Sequence, residues 1–184
     1  MAFLQSIIQW FRPAPPPKPV VFEPLVEGTD RRGKERRTAP PGTRVLLIDD
    51  SATIVALLRR MLRQNGYETL EAGDAEKGIE LARSERPDLI FLDIVLPGMN
   101  GFAALRTLRR DPETKDIPII MISGNEQATE EFYVHRIGAD DFMKKPFSRT
   151  EVFARIERLL DENGIPRRVV AVVLGSEPVG ANAS

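Results

Sequence analysis

The sequence predicts an α/β fold built on a doubly wound, five-stranded parallel sheet with helices on both faces. Three observations lead there. Short apolar runs alternate with segments of helical periodicity through the middle of the chain, the pattern of successive β-α units. The third run, DLIFL (Asp88–Leu92), is apolar from its second residue on, as a strand covered on both faces should be. The chain has no cysteine, which removes disulfides and thiolate metal sites, and its one histidine, His135, makes a His-cluster metal site or a Ser-His triad a poor fit.

The elements follow in order. RVLLI (Arg44–Ile48) reads as a buried strand. Ser51 can cap the next helix, in which Ile54, Leu57, Leu58, Met61 and Leu62 recur at i, i+3, i+4, i+7 and i+8; Asn65-Gly66 ends it. YETLEA (Tyr67–Ala72) is the second strand. Asp74 caps a helix with Ala75, Gly78, Ile79 and Ala82 on its inner face, and Pro87 breaks it. After DLIFL comes a helix through Phe102, Leu105 and Leu108. IPIIMIS (Ile117–Ser123) is the fourth strand, Glu126 to Ile137 a helix with a weak apolar stripe, and ADDFMK (Ala139–Lys144) a short fifth strand. A last helix puts Val152, Phe153, Ile156, Leu159 and Leu160 on one face.

Composition shifts on either side of this core. Residues 1–43 hold eight of the fifteen prolines and carry seven Lys and Arg against four Asp and Glu; the remainder carries 19 against 23. Residues 12–43 read as a Pro-rich, basic, disordered linker that cannot bury enough apolar surface to offset its ordering entropy. Within it, PAPPPKP (Pro13–Pro19) should be extended and semi-rigid. In residues 1–11, Phe3, Leu4, Ile7, Ile8 and Phe11 share one face, which reads as an amphipathic helix docking on a partner or a membrane surface. Residues 163–184 form a polar, small-residue tail with one apolar patch, VVAVVL (Val169–Leu174). A net charge of −1 gives no global field toward nucleic acid. No apolar run reaches the ~18 residues of a membrane span, and the N-terminus lacks the basic leader and small-residue cleavage site of a signal peptide. A cytoplasmic location follows, with recruitment to a membrane complex through residues 1–11.

In a doubly wound sheet the ligand crevice lies beyond the carboxyl ends of the strands. There the sequence places Asp49-Asp50, Asp93, Ser123-Gly124 and Lys144-Lys145-Pro146, at the ends of strands one, three, four and five. Three crowded carboxylates repel one another, and a divalent cation relieves that repulsion; an all-oxygen donor set suits Mg²⁺ or Mn²⁺. Lysine is a compact charge suited to a phosphate. Acyl transfer fits poorly without a thiol or a histidine pair. Phosphoryl transfer needs mainly positioning and charge neutralisation, and a carboxylate can itself be the acceptor.

The motifs VLLIDDS, LDIVLPGMNG, IIMISG and FMKKPF occur in that order, with 43 residues from Asp50 to Asp93, 30 more to Ser123 and 22 more to Lys145. In these motifs residues 44–162 resemble the receiver domain of two-component response regulators, the CheY-like fold. The resemblance implies strand order 2-1-3-4-5 and assigns roles. Asp93 is the phosphoacceptor. Asp49 and Asp50 form the acidic pocket that holds Mg²⁺ with Asp93 and the backbone carbonyl of Val95. Ser123 is the hydroxyl that moves to the phosphoryl group, and Lys145 pairs with a phosphoryl oxygen, its bond to Pro146 being cis. Phe142 occupies the place of the rotating aromatic switch, without the hydroxyl of the commoner tyrosine.

The implied partners are a sensor histidine kinase or phosphotransfer protein and a downstream protein effector. The domain is then a phosphoacceptor switch that assists its own phosphorylation and dephosphorylation rather than an enzyme. An aspartyl-phosphate phosphatase fits poorly, because such enzymes resemble a pattern with a second acid two residues past the nucleophile, where Val95 stands. Only 22 residues follow residue 162, too few for a DNA-binding domain. The expectation is a single-domain regulator signalling by protein contact, most similar to regulators of the type IV pilus (twitching motility) or of chemotaxis. The alternatives are a phosphate sink or relay intermediate, and a localisation scaffold tethered by its N-terminal segment.

Overall fold

The computed structural model describes residues 37–124 and 138–168. The expectations for residues 1–36, for the helix from Glu126 to Ile137 with His135, and for VVAVVL lie outside these residues. Five parallel strands, β1 (Arg44–Ile48), β2 (Glu68–Ala72), β3 (Leu89–Asp93), β4 (Ile119–Ser123) and β5 (Asp141–Lys144), stand in the order β2-β1-β3-β4-β5. The described helices are α1 (Ala52–Arg63), α2 (Ala75–Glu85), α3 (Gly101–Arg110) and α4 (Arg149–Leu159). The doubly wound parallel sheet and its strand order are those expected from the sequence.

The two-residue period of a strand divides the core. Leu46, Ile48, Ile90, Leu92, Ile119, Met121 and Phe142 pack on one face with α2 and α3. Val45, Leu47, Leu89, Phe91, Ile120, Ile122 and Met143 pack on the other with α1 and α4. β3 and β4 are buried at every position. Each such Leu, Ile or Phe contributes roughly 1.5–3 kcal/mol by leaving water, which makes these two strands the firmest part of the scaffold. Every described helix starts on a side-chain cap. Ser51 Oγ accepts from Ile54 N at 3.5 Å and Asp74 Oδ1 from Lys77 N at 2.7 Å. Asn100 and Ser148, which the sequence pattern did not mark, do the same for α3 and α4.

Two expectations are corrected. Leu57, assigned to the inner face of the first helix, is 38% exposed, and Val55 is buried in its place with Leu58 and Leu62. The apolar stripe of α1 is wider than the face that meets the sheet, and the helix is rotated so that Ile54 and Met61 pack at its margin. The packed unit also extends beyond 44–162. Ala39 and Thr43 are buried, Gly42 N donates to Gly66 O at 2.8 Å, and Pro166 bridges to Leu160. Arg37 donates to Leu160 O and Asp161 O at 3.2 and 3.3 Å, capping the carbonyl end of α4.

Gly101, the first residue of α3, is set by close approach: a Cβ there would lie 2.0 Å from the carbonyl oxygen of Asp93. Only a missing side chain lets α3 begin against the end of β3. Gly101→Ala is therefore expected to cost on the order of 3 kcal/mol, because the obstacle is backbone and cannot swing aside. Urea unfolding measures this, and an unchanged midpoint would mean that the β3–α3 loop yields freely.

Candidate functional site

The carboxyl ends of β1, β3, β4 and β5 carry the chemistry. Asp49 follows β1, and its N–H donates to Ala72 O at 3.1 Å, continuing the sheet pairing by one residue. Its Oδ1 accepts from Ser51 N at 2.9 Å. Asp93 is the last residue of β3 and lies opposite Ile122 of β4. Beyond it, Ile94 N donates to Ile122 O and Gly101 N to Ile94 O, both at 2.9 Å, which turns the chain back over the site. Lys145 N donates to Ser123 O at 2.7 Å, tying the lysine to the end of β4, and the Lys145–Pro146 peptide bond is cis.

These placements bring Asp49, Asp50 and Asp93 together, with one carboxylate oxygen of each inside a span of 4.8 Å. Asp49 and Asp93 are buried and Asp50 is exposed, so the cluster is open to solvent on one side. Lys145 Nζ reaches Asp49 Oδ2 at 2.8 Å and Asp93 Oδ2 at 3.1 Å. Ser123 is fully buried at the adjoining strand end. Phe142 is not part of the cluster; it is buried in the α2–α3 face of the core, paired with Met121. The side chain of Val95 is 65% exposed on the loop after β3, so whatever it supplies to the pocket comes from its backbone. Two contributors were not singled out from the sequence. The Ser51 amide orients Asp49, a role visible only in the Asp-x-Ser spacing, and Gly101 makes room for the Asp93 backbone.

Burial pushes the Asp93 carboxyl above its ordinary value, helped by the charge of Asp49 and opposed by hydrogen bonding and charge from Lys145. Burial works to lower the Lys145 ammonium, but hydrogen bonds and charge from Asp49 and Asp93 outweigh it and leave it raised. Three carboxylates against one ammonium leave two negative charges in the cluster. Asp93 Oδ1 is buried with no hydrogen-bond partner among the described residues. A hard divalent cation answers both features, and the donors are all oxygens, so the residues present fit Mg²⁺.

Fold and site together define the class: a doubly wound α/β domain with an acidic, lysine-bridged pocket at the carboxyl edge of its sheet. The response regulator receiver domain family matches residues 45–157, and the chain belongs to that family. It is 39% identical over 117 residues to Protein PilH of Pseudomonas aeruginosa, covering 64% of this chain and 97% of that one. Among solved structures it resembles the Vibrio cholerae chemotaxis protein CheY4, with a TM-score of 0.61 and 28% identity over 65% of this chain and 99% of that one. It also resembles the receiver domain of a P. aeruginosa sensor histidine kinase, solved with a magnesium ion coordinated in the active site cleft, with a TM-score of 0.58 and 29% identity over 64% and 95%. The chain spans about half the length of the transcriptional regulators that it also matches, 54% and 48% for two of them. No helix among the described residues is long and apolar enough to cross a membrane.

The raised Asp93 fixes the sign of a pH effect. A folded carboxyl that holds its proton more tightly than the unfolded one contributes stability fully below the ordinary value of 3.8, and loses it as pH rises through the raised folded value. In metal-free buffer at neutral pH, Asp93→Asn should therefore melt higher than wild type, with the gap closing as pH falls toward 3.8. Melting curves across this range check it; a lower-melting variant at neutral pH would mean that the Lys145 ion pair outweighs desolvation.

Proposed function

We propose that the chain is a response regulator phosphorylated on Asp93 by a histidine kinase or phosphotransfer protein, and that it signals by phosphorylation-dependent protein contact. One observation carries this reading: Asp93 ends a fully buried strand, shares Lys145 with Asp49, and keeps an oxygen buried without a hydrogen-bond partner among the described residues. A carboxylate so held is a positioned nucleophile. In the proposed step an Asp93 oxygen forms the bond to phosphorus as the phosphorus–nitrogen bond of the donor phosphohistidine breaks, and the freed imidazole takes a proton from solvent. Lys145 Nζ turns from the carboxylates to a phosphoryl oxygen, and the Ser123 hydroxyl donates to another. Asp49, Asp50, Asp93 and the Val95 carbonyl would hold Mg²⁺, or Mn²⁺ in its place, which supplies neutralisation of charge on the phosphoryl oxygens.

The product adds about two negative charges at the sheet edge. Ser123 moves toward them, and the space it leaves admits Phe142, which biases the β4–β5 face between two states that partners distinguish. Similarity to PilH and to a chemotaxis protein supports a place in pilus-driven or chemotactic motility, inside the cell. The decisive measurement is phosphoryl incorporation from acetyl phosphate, read by intact mass. Wild type should gain one phosphoryl group only when Mg²⁺ is present, and Asp93→Asn none; equal labelling of the variant would remove Asp93 as acceptor.

Metal binding has its own readout. Saturation at a hundredfold the Kd should raise wild-type stability by about 2.7 kcal/mol, whereas Asp50→Asn should respond only at much higher concentration. An equal Mg²⁺ response in both proteins would place the metal elsewhere.

A further inference from the structure

A second charged cluster lies at the opposite ends of the strands, where β4 and β5 begin. The Asp140 side chain is 0% exposed. Its Oδ2 accepts from Arg109 Nη2 at 2.7 Å and from Ile119 N at 2.8 Å, and its Oδ1 accepts from Arg168 Nε at 3.2 Å. The two guanidiniums share further acceptors. Gly138 O accepts from Arg109 Nε at 2.7 Å and Arg168 Nη2 at 3.3 Å. Lys115 O accepts from Arg109 Nη1 at 3.1 Å and Arg168 Nη1 at 3.2 Å. Two arginines thus fork onto the same three residues around one carboxylate. The strain falls on Arg109, lowered to about 10 by burial first, with Asp140 opposing and Arg168 adding to the shift.

The two arginines are not equivalent. Arg109 is closer at all three residues and 10% exposed; Arg168 is 24% exposed. Without Arg168, Gly138 O and Lys115 O would each keep a bond from Arg109, and Asp140 would keep its Oδ2 bonds from Arg109 and Ile119 N while its Oδ1 loses the longer bond from Arg168. Arg168 instead does one thing that Arg109 cannot: it fastens the strap that follows α4. That strap, residues 161–168, folds back on the helix. Asp161 Oδ1 accepts from Asn163 N and Ile165 N at 2.9 and 3.0 Å, Pro166 bridges to Leu160, and Arg167 N donates to Leu159 O at 2.7 Å.

The cluster is also mechanically connected to the pocket. Asp140 N donates to Ile119 O at 3.0 Å and Ile119 N donates to Asp140 Oδ2, which clamps the starts of β4 and β5 together. The same two strands lead to Ser123 and Lys145 at their far ends. We propose that Arg168 is a releasable latch: it holds the strap against the start of β5 while Asp93 is unmodified, and lets it go when the β4–β5 pair rearranges, passing the state of the pocket to the C-terminal tail. The trigger rests on the phosphoacceptor reading above; the latch does not.

Hydrogen exchange by mass spectrometry on the full chain tests both, with beryllofluoride plus Mg²⁺ as the phosphoryl mimic and acetyl phosphate labelling in parallel. Arg168→Ala should raise exchange in residues 161–168 about tenfold without the mimic, with a Tm loss smaller than that of Arg109→Ala and Asp93 labelling near wild type. Arg109→Ala should lower Tm. The mimic should produce the same rise in wild type and no further rise in Arg168→Ala. Unchanged strap exchange in Arg168→Ala, or a Tm loss matching that of Arg109→Ala, overturns the latch. Strap exchange unmoved by the mimic in a protein that does label on Asp93 overturns the trigger. Failure to label sinks the phosphoacceptor reading and the trigger with it, and the Arg168→Ala comparison still decides the latch.

Discussion

Lys145 stands between Asp49 and Asp93, at 2.8 and 3.1 Å, in a cluster where the third acid faces solvent. Burying two carboxylates without that ammonium would be prohibitive, because removing one partner of a buried pair leaves an uncompensated charge. Yet one ammonium cannot neutralise three acids. The pocket is held together but left electrically short, and an anion-neutralising cation or a change in the Asp93 charge has leverage on it. Everything else near the site serves to keep these groups at their separations.

The scaffold supplies that rigidity through burial rather than polar bonding. β3 and β4 present no exposed position, so Asp93 and Ser123 are delivered by strands held from both core faces. Lys145 is tied to β4 by its own amide, and Asp49 to β2 by its own amide, so the sheet ladder fixes the backbone beneath each charged group. Gly101 completes the arrangement by allowing α3 to start against the Asp93 carbonyl. The cost of ionising a desolvated Asp93 is small beside the summed apolar burial of those strands, and for that reason the fold can carry a destabilised carboxylate at its edge.

Much of this was legible from the sequence because it is periodic or terminal. Apolar runs mark the strands, and in a parallel sheet the residues just past them meet at one edge, so Asp49, Asp50, Asp93, Ser123 and Lys145 could be named together. What was not legible depends on contacts distant in the chain. The choice of Val55 over Leu57 turns on how α1 is rotated against the sheet, and both residues are apolar. The packing of residues 38–43 and of Pro166 follows from bonds such as Arg37 to Leu160, which no local pattern announces. Arg109, Asp140 and Arg168 lie in three separate segments, and as sequence they are only members of ordinary charged stretches.

The two charged clusters differ in a way that bears on how the domain can work. At the carboxyl ends, carboxylates outnumber cations and the site is poised to accept positive charge. At the amino ends of β4 and β5, guanidiniums outnumber the carboxylate, and the weaker-held one belongs to a segment outside the sheet. A strand pair clamped at both ends transmits displacement better than one that can fray, since paired strands share their ladder bonds along the whole length. The surplus arginine matters for that reason. If Asp140 had a single partner, any movement there would cost the buried ion pair outright and would be resisted; with two, the cluster can lose Arg168 and still keep Asp140 Oδ2 paired with Arg109. Redundancy at the far ends of these strands is what allows a rearrangement at the pocket to have an outlet.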